Sequence, residues 1–167
     1  MIAIVMGVTG SGKTRVGRLL AEQLGWTFGD ADDFHPQSNV EKMERGIPLN
    51  DEDRGPWLGR LRIQITNWIA NGQNAVLACS ALKQTYRQEL SVGPEVRFVY
   101  LRGSPELIAQ RLRLRRGHFA DEKILAGQFA DLQEPEMAVT VDISQTPEKL
   151  VAEISEKLGL GSRSCFE

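Results

Sequence analysis

The residues best suited to chemistry in this sequence form one glycine-rich run near the amino terminus. The run Gly7-Val8-Thr9-Gly10-Ser11-Gly12-Lys13-Thr14 fits the pattern G-x-x-x-x-G-K-[ST]. Glycines let a backbone curl so tightly that successive N–H groups point at one anion, and a helix that starts there adds the positive end of its dipole. Lys13 can then reach the β- and γ-phosphates of a nucleotide, and the Thr14 hydroxyl can bind Mg²⁺. The run therefore predicts a loop that binds a nucleoside triphosphate.

The flanking sequence supplies the elements that such a loop needs. The apolar run Ile2–Met6 ahead of it is typical of a buried strand, and apolar residues behind it recur at helical spacing at Val16, Leu19 and Leu20. Strand, glycine loop and helix in that order distinguish a phosphate-binding loop from a chance match. The alternative, an ordinary Gly-rich turn between a strand and a helix, is the weaker interpretation.

Short apolar runs alternate with longer helical patterns along the rest of the chain, which is typical of a parallel sheet with crossover helices. The predicted later strands are Trp26–Gly29, Ala75–Cys79, Val96–Leu101 and Val139–Ile143. Further helices are predicted at about 37–46, 56–72, 105–117, 122–132 and 147–158, with Pro56 in the first turn of the longest and another helix after the third strand. We predict an α/β fold of three layers, a five-stranded parallel sheet flanked by helices, in one domain over residues 1–167.

Composition and charge are those of a globular domain and exclude several other classes. Hydrophobic residues make up 41% and charged residues 25% of the chain, and the net charge is −2. This balance gives no electrostatic reason to expect nucleic acid or an anionic membrane as a partner, and no apolar run is long enough to span a bilayer. Cys79 and Cys165 show no metal spacing, and we expect Cys79 to be a reduced, buried thiol. Because a strand is predicted at the very start, we expect no signal peptide and a cytoplasmic protein.

Acidic side chains at the end of the second predicted strand form the next group. Asp30 and Asp32 can both face the phosphates held by the loop. One would help to hold the metal through water, while the other would accept the proton of a substrate hydroxyl. The alternative is a solvated acidic turn that caps the next helix, but beside a phosphate loop we favour the functional interpretation. A carboxylate base indicates phosphoryl transfer to an alcohol rather than simple hydrolysis.

A basic stretch in the second half of the chain could stabilise the charge that such a transfer develops. Arg111 and Arg115 are one turn apart, so we expect them to share a helix face, and Gly117 lets the chain leave the helix. We predict a lid in which Arg111 stacks on the nucleotide base while Arg115 or Arg116 reaches the phosphates. The alternatives are a solvated basic face, which composition alone favours, and a nucleic-acid patch, which lacks a wider basic surface. The role of His118 stays open.

A second group of polar residues suggests an anionic acceptor, such as a small carboxylate. The group consists of Asn39, Lys42, Arg54, Lys83 and Arg87, with His35 nearby. Lys83 and Arg87 are four residues apart and should share a face of the helix after the third strand. Taken singly, each charged residue of this group would be interpreted as an ordinary surface charge.

Matches to one known family extend well beyond the glycine loop. The sequence resembles gluconate kinases of the small phosphate-loop type, relatives of the shikimate kinases. The matching segments are Gly7–Thr14, Asp30–Pro36, Asn39–Leu58, Cys79–Lys83, Tyr86–Arg87, Arg111–Leu112 with Arg115, Gly117–Phe119, Gln128–Phe129 and Glu134–Pro135. The segment Asn39–Leu58 is the most specific of them, because other phosphate-loop kinases do not share it.

The resemblance implies a P-loop kinase fold and ATP-dependent phosphorylation of D-gluconate to 6-phospho-D-gluconate, which feeds the pentose phosphate pathway. It also implies a need for Mg²⁺, a mobile lid at about 115–128, acceptor-binding helices at about 37–72 and a homodimer. By the same likeness Asp32 is the base. The predicted site is then catalytic Lys13, Asp32 and Arg115; nucleotide-binding Gly7–Thr14 and Arg111; metal-binding Thr14 and Asp30; and substrate-binding Asp32, His35, Lys42, Arg54, Lys83 and Arg87.

Three other functions stay open as alternatives. A kinase of another small hydroxy acid, such as shikimate, is disfavoured by the segment Asn39–Leu58. A nucleotide-gated binding or regulatory protein is disfavoured because Lys13, Thr14, Asp30 and Asp32 are all intact. A nucleoside monophosphate kinase would need contacts to a second nucleobase, and the acceptor region shows none.

Overall fold

The computed structural model describes residues 1–115 and 119–161, and the side chains within these ranges except those of 119–122. The strands are β1 (Ile2–Met6), β2 (Thr27–Asp30), β3 (Ala75–Ala78), β4 (Val96–Arg102) and β5 (Val139–Asp142). They pair in parallel in the order β2-β3-β1-β4-β5. The predicted five-stranded parallel sheet is therefore confirmed.

Helices cover both faces of this sheet. They are α1 (Lys13–Leu24), α2 (Gln37–Glu44), α3 (Asp51–Ala70), α4 (Gln84–Leu90), α5 (Pro105–Leu114), α6 (Phe119–Asp131) and α7 (Pro147–Lys157), with a short 3₁₀ helix at Ala31–Phe34. Within the described ranges, none of the helices has both the length and the apolar character that crossing a bilayer requires.

The central strand β1 shows why the chain forms three layers. Ala3 and Val5 pack into one apolar cluster with residues of α1, α5 and α7, while Ile2, Ile4 and Met6 pack into a second cluster with residues of α3 and α4. Successive residues of a strand point to opposite faces, so a strand covered on both faces reads as a continuous apolar run. The glycine loop directly follows the end of β1 and therefore lies at the carboxyl edge of the sheet, where such folds bind their ligands.

The predicted start of the longest helix was wrong. The helix α3 begins at Asp51, because the Asn50 side chain accepts the N–H of Asp53 while the Asp53 carboxylate accepts the N–H of Asn50. This reciprocal pair caps the helix one turn earlier than predicted, and Pro56 consequently lies inside the helix rather than in its first turn.

The fifth helix also differs from its prediction. It ends at Leu114, and Arg115 follows as its C-cap with a non-helical ψ of 61°. The predicted continuation to Gly117, together with Arg116 and His118, lies outside the described residues.

Candidate active site

The glycine-rich run forms a tight loop between β1 and α1. Gly10 and Gly12 have φ values of 77° and 97°, in the left-handed region that favours glycine. A Cβ atom at Gly10 would lie only 2.9 Å from the side chain of Leu112, so the loop is packed closely against α5. The helix α1 starts at Lys13 without a side-chain cap, and its first N–H groups therefore stay available to an anion.

Lys13 is half-buried at the base of this loop. Its Nζ donates a hydrogen bond to the carbonyl of Val8 at 3.0 Å. Burial lowers the pKa of Lys13, and the nearby carboxylates of Asp32 and Asp30 oppose that shift. The ammonium group is thus held beside the loop and next to both predicted acids.

Thr14 and Asp30 bring two oxygen ligands together at the end of β2. The Thr14 hydroxyl donates to Asp30 Oδ2 at 2.8 Å, and the other oxygen of Asp30 accepts the backbone N–H of Asp32 at 3.0 Å. A hydroxyl and a carboxylate are hard oxygen ligands of the kind that Mg²⁺ takes beside substrate phosphates. The pair therefore fits the predicted metal site.

Asp32 shares a cavity of about 270 Å³ with Lys13. Solvent reaches the Asp32 carboxylate, but the surrounding protein removes part of its hydration. This desolvation and the repulsion by Asp30 raise the pKa of Asp32. His35 and Lys13 oppose this shift. A carboxylate with a raised pKa is a stronger base than an ordinary aspartate. The cavity is also lined by Thr9, Gly10, Gly12, Thr14, Arg15, Asp30, Ala78, Cys79, Ser80, Arg115 and Gln128.

Cys79 is the buried, free thiol that the sequence predicts. Burial raises its pKa to about 12, so the thiol stays protonated and unreactive at neutral pH.

His35 is held in a fixed orientation by Trp57 and Asn39, which were not predicted to position it. Its ring stacks on Trp57 with 4.7 Å between centroids, and Trp57 Nε1 donates to the carbonyl of Ala31 at 2.7 Å. Asn39 Nδ2 donates to the carbonyl of Asp53 at 2.8 Å and contacts His35 Nδ1 at 3.2 Å. An amide nitrogen can only donate, so Nδ1 is the acceptor and the ring proton lies on Nε2.

The charge of His35 follows from its surroundings. Burial lowers its pKa, and the positive charge of Arg54 adds to that effect, while Asp32 opposes it. The imidazole is therefore neutral at pH 7, and its Nε2–H can donate to an uncharged oxygen such as a substrate hydroxyl.

Two of the predicted acceptor-side cations come together between the start of α3 and the start of α4. Arg54 Nη1 donates to the hydroxyl of Tyr86 at 3.0 Å. That hydroxyl in turn donates to Asp51 Oδ1, and Lys83 Nζ lies 3.2 Å from the same oxygen. We call Asp51, Arg54, Lys83 and Tyr86 the acceptor cluster; Asp51 and Tyr86 were not predicted as parts of the site.

Arg87 does not share a face with Lys83, which corrects that expectation. Lys83 is the N-cap of α4, whereas Arg87 is buried and its guanidinium donates to the carbonyls of Ala81, Leu82 and Gln133 at 2.9, 2.9 and 2.7 Å. Ala81 has a φ of 44°, so these bonds hold a left-handed turn in place. The geometry favours a structural role for Arg87, and its contact with substrate stays a prediction.

Lys42 is also engaged within the protein. Its Nζ pairs with Asp53 Oδ1 at 2.7 Å and so joins α2 to the capped start of α3. Its predicted contact with substrate stays a prediction.

The two predicted lid arginines do not share a helix face. Arg111 donates to the carbonyl of Ile143 just after β5, whereas Arg115 lies beyond the end of α5 and lines the cavity near Lys13. The predicted lid also touches the loop directly, since Gln128 Oε1 accepts the N–H of Thr9 at 2.6 Å. Stacking of Arg111 on a base and movement of the lid stay predictions.

The fold and the site together define a class of protein. A parallel sheet with the order 2-3-1-4-5 carries a glycine loop, a lysine, a paired hydroxyl and carboxylate, and a second carboxylate of raised pKa, Asp32, at one carboxyl edge. This is the arrangement of a phosphate-loop enzyme that acts on nucleotide phosphates.

Comparisons with known proteins narrow the class. The family model described as shikimate kinase matches residues 9–158. The chain is 44% identical to the probable gluconokinase of Xenopus tropicalis over 92% of this chain and 91% of that protein. It is 42% identical to the thermoresistant gluconokinase of Escherichia coli K12, over 96% and 94% of the two chains.

A solved structure agrees with these relatives. The crystal structure of a gluconokinase from Sinorhizobium meliloti 1021 superposes with a TM-score of 0.85 at 38% identity, covering 94% of this chain and 90% of that one. The chain belongs to the shikimate kinase family and, within it, to the gluconokinases.

Proposed function

We propose that the protein transfers the γ-phosphoryl group of ATP to D-gluconate, with Mg²⁺, and releases ADP and 6-phospho-D-gluconate. One observation carries the proposal: Asp32, with its raised pKa, shares a cavity with Lys13 of the phosphate-binding loop. Its placement suits a base that faces a hydroxyl beside a terminal phosphate. The gluconokinases among the relatives support the choice of gluconate as acceptor.

The loop and its neighbours would hold the nucleotide. The free N–H groups at the start of α1 bind the phosphate oxygens, and Lys13 and Arg115 supply positive charge beside them. Thr14 and Asp30 would hold the Mg²⁺ ion. When bound, that ion neutralises negative charge on the β- and γ-phosphates.

Asp32 would accept the proton of the attacking hydroxyl. A bond forms between the hydroxyl oxygen at carbon 6 and the γ-phosphorus, the bond from that phosphorus to the ADP oxygen breaks, and the proton passes to the Asp32 carboxylate. His35, neutral and fixed by Trp57 and Asn39, can donate Nε2–H to a neighbouring hydroxyl. His35, Trp57 and Asn39 would thus position the sugar acid and take no part in making or breaking bonds.

The acceptor cluster would recognise the other end of the substrate. Asp32 influences the pKa of Lys13, His35 influences that of Asp32, and Arg54 influences that of His35, so the cavity lies within electrostatic range of the cluster. Arg54 and Lys83 supply positive charge, and Tyr86 supplies a hydroxyl. A sugar acid that places its carboxylate there can present its far hydroxyl to Asp32.

An assay of ADP release tests the proposal directly. We expect a clear preference for D-gluconate over shikimate and over other sugar acids at equal concentration. Preference for a different acid would reject D-gluconate as the phosphoryl acceptor. If the protein binds ATP but no sugar acid causes it to release ADP, a regulatory protein is favoured instead. The cytoplasmic location and the homodimer stay predictions, and sedimentation of the purified chain would measure the second.

A further inference from the structure

Two donors meet on one carboxylate oxygen at the acceptor cluster. The Tyr86 hydroxyl donates to Asp51 Oδ1, and Lys83 Nζ lies 3.2 Å from that same atom. Arg54 supports the arrangement through its bond to the Tyr86 hydroxyl at 3.0 Å and lies over the Tyr86 ring. A carboxylate is therefore already bound where positive charge and hydrogen-bond donors converge.

The start of α3 does not depend on Asp51. The cap is formed by Asn50 and Asp53, and the first turn keeps the acidic residues Glu52 and Asp53 for the helix dipole. Among the described residues, the Asp51 side chain accepts hydrogen bonds from Lys83 and Tyr86. Its side chain is 70% exposed, so it can swing into solvent without opening the core.

We propose that Asp51 is an internal stand-in for the carboxylate of the substrate. In the free protein it neutralises Lys83 and orders Tyr86, and the carboxylate of the sugar acid takes over these donors when it binds. The inference rests on the proposed function, because it assumes a sugar acid as acceptor. It identifies Asp51 as a specificity-determining residue and Tyr86 as a direct ligand of the substrate carboxylate.

The exchange explains why the cluster would select acids. A ligand must replace the Asp51 carboxylate as the hydrogen-bond acceptor of Lys83 and Tyr86. A neutral polyol offers only hydroxyl oxygens, which accept hydrogen bonds from Lys83 less strongly than a carboxylate does. Within the cluster itself, Arg54 and Lys83 face the single carboxylate of Asp51, while Asp53 and Asp131 act on these cations from outside it. Hydrogen bonding from Tyr86 and Lys83 holds the pKa of Asp51 below its usual range, so the stand-in is charged at neutral pH.

The variant Asp51→Asn tests the proposal, because it removes the charge and keeps an oxygen that can accept from Tyr86. Binding of D-gluconate and of its neutral analogue D-glucitol is measured by calorimetry, together with the KM and kcat for gluconate. We expect gluconate to bind about three- to ten-fold more tightly, the range for loss of one exposed charged contact. KM should fall in parallel, D-glucitol should gain clearly less than gluconate, and kcat and binding of a non-hydrolysable ATP analogue should stay unchanged.

Glu52→Gln is the matched control, since it removes the same charge from the adjacent exposed position. Weaker or unchanged gluconate binding in Asp51→Asn overturns the inference, as does an equal gain for D-glucitol or an equal gain in Glu52→Gln. The proposed function is tested separately by the unaltered protein, and failure of that protein to bind gluconate rejects both. Binding by the unaltered protein without a gain in Asp51→Asn rejects the stand-in alone.

Discussion

Replacement of Asp32 by asparagine removes one charge and one proton acceptor while it keeps the size of the side chain. The backbone N–H of residue 32 would still donate to Asp30 at 3.0 Å, so the turn that carries the side chain should stay in place. Lys13 would lose the neighbour that contributes most to raising its pKa. The backbone is thus little changed, and a fall in turnover reports the loss of the Asp32 charge and of its proton acceptor together.

The size of the effect follows from the setting of the carboxylate. A positioned general base contributes about 10²- to 10⁴-fold to a rate. Phosphoryl transfer depends mainly on positioning and charge stabilisation, and the Asp32 carboxylate remains open to solvent, so we expect the lower half of that range. The kcat for gluconate should thus fall about 10²- to 10³-fold, which is roughly 3 to 4 kcal/mol in the activation free energy.

The assay is coupled release of ADP at saturating ATP and gluconate, with separate measurement of the affinity for a non-hydrolysable ATP analogue. That affinity should stay within about three-fold, because a carboxylate at this position would lie beside the phosphates without donating a hydrogen bond to them. Asp33→Asn, at the next exposed position of the same 3₁₀ helix, is the control and should keep near-normal turnover. Near-normal turnover in Asp32→Asn itself would refute the assignment of the base.

Three further predictions concern pH, the metal and stability. The raised pKa of Asp32 means that kcat/KM should be lost as the pH falls through a value above the ordinary carboxyl range of about 3.9, and this acid limb should vanish in Asp32→Asn. Thr14→Val removes the hydroxyl that lies 2.8 Å from Asp30, so half-maximal activity should need about ten-fold more Mg²⁺, and Thr14→Ser should restore the ordinary requirement. Arg87→Met leaves three carbonyls without their donor and should lower the free energy of unfolding in urea by about 2–4 kcal/mol. A large rise in KM for gluconate in that variant, without loss of stability, would instead show a substrate contact.

Local patterns in the sequence were sufficient for the sheet and for the position of the glycine loop. The run Ile2–Met6 is apolar throughout because both of its faces are covered, and the glycine loop follows it directly. The loop residues are adjacent in sequence, so their spacing alone places the N–H groups, Lys13 and Thr14 around one point. The helix α3 starts earlier than the apolar pattern predicts, because the reciprocal bonds between Asn50 and Asp53 cap it at that point.

The acceptor side required the packed molecule, since its residues come from segments that are distant in sequence. Lys83 and Arg87 are four residues apart, yet Arg87 turns inward to bind Gln133 after α6, whereas Lys83 precedes the helix and faces Asp51 on α3. A spacing of four places two side chains on one face only when both lie within the same regular helix. The direction of a side chain outside that regularity is set by the partners that packing brings near it, and for Asp51, Tyr86 and Trp57 those partners lie between 26 and 35 residues away in the chain.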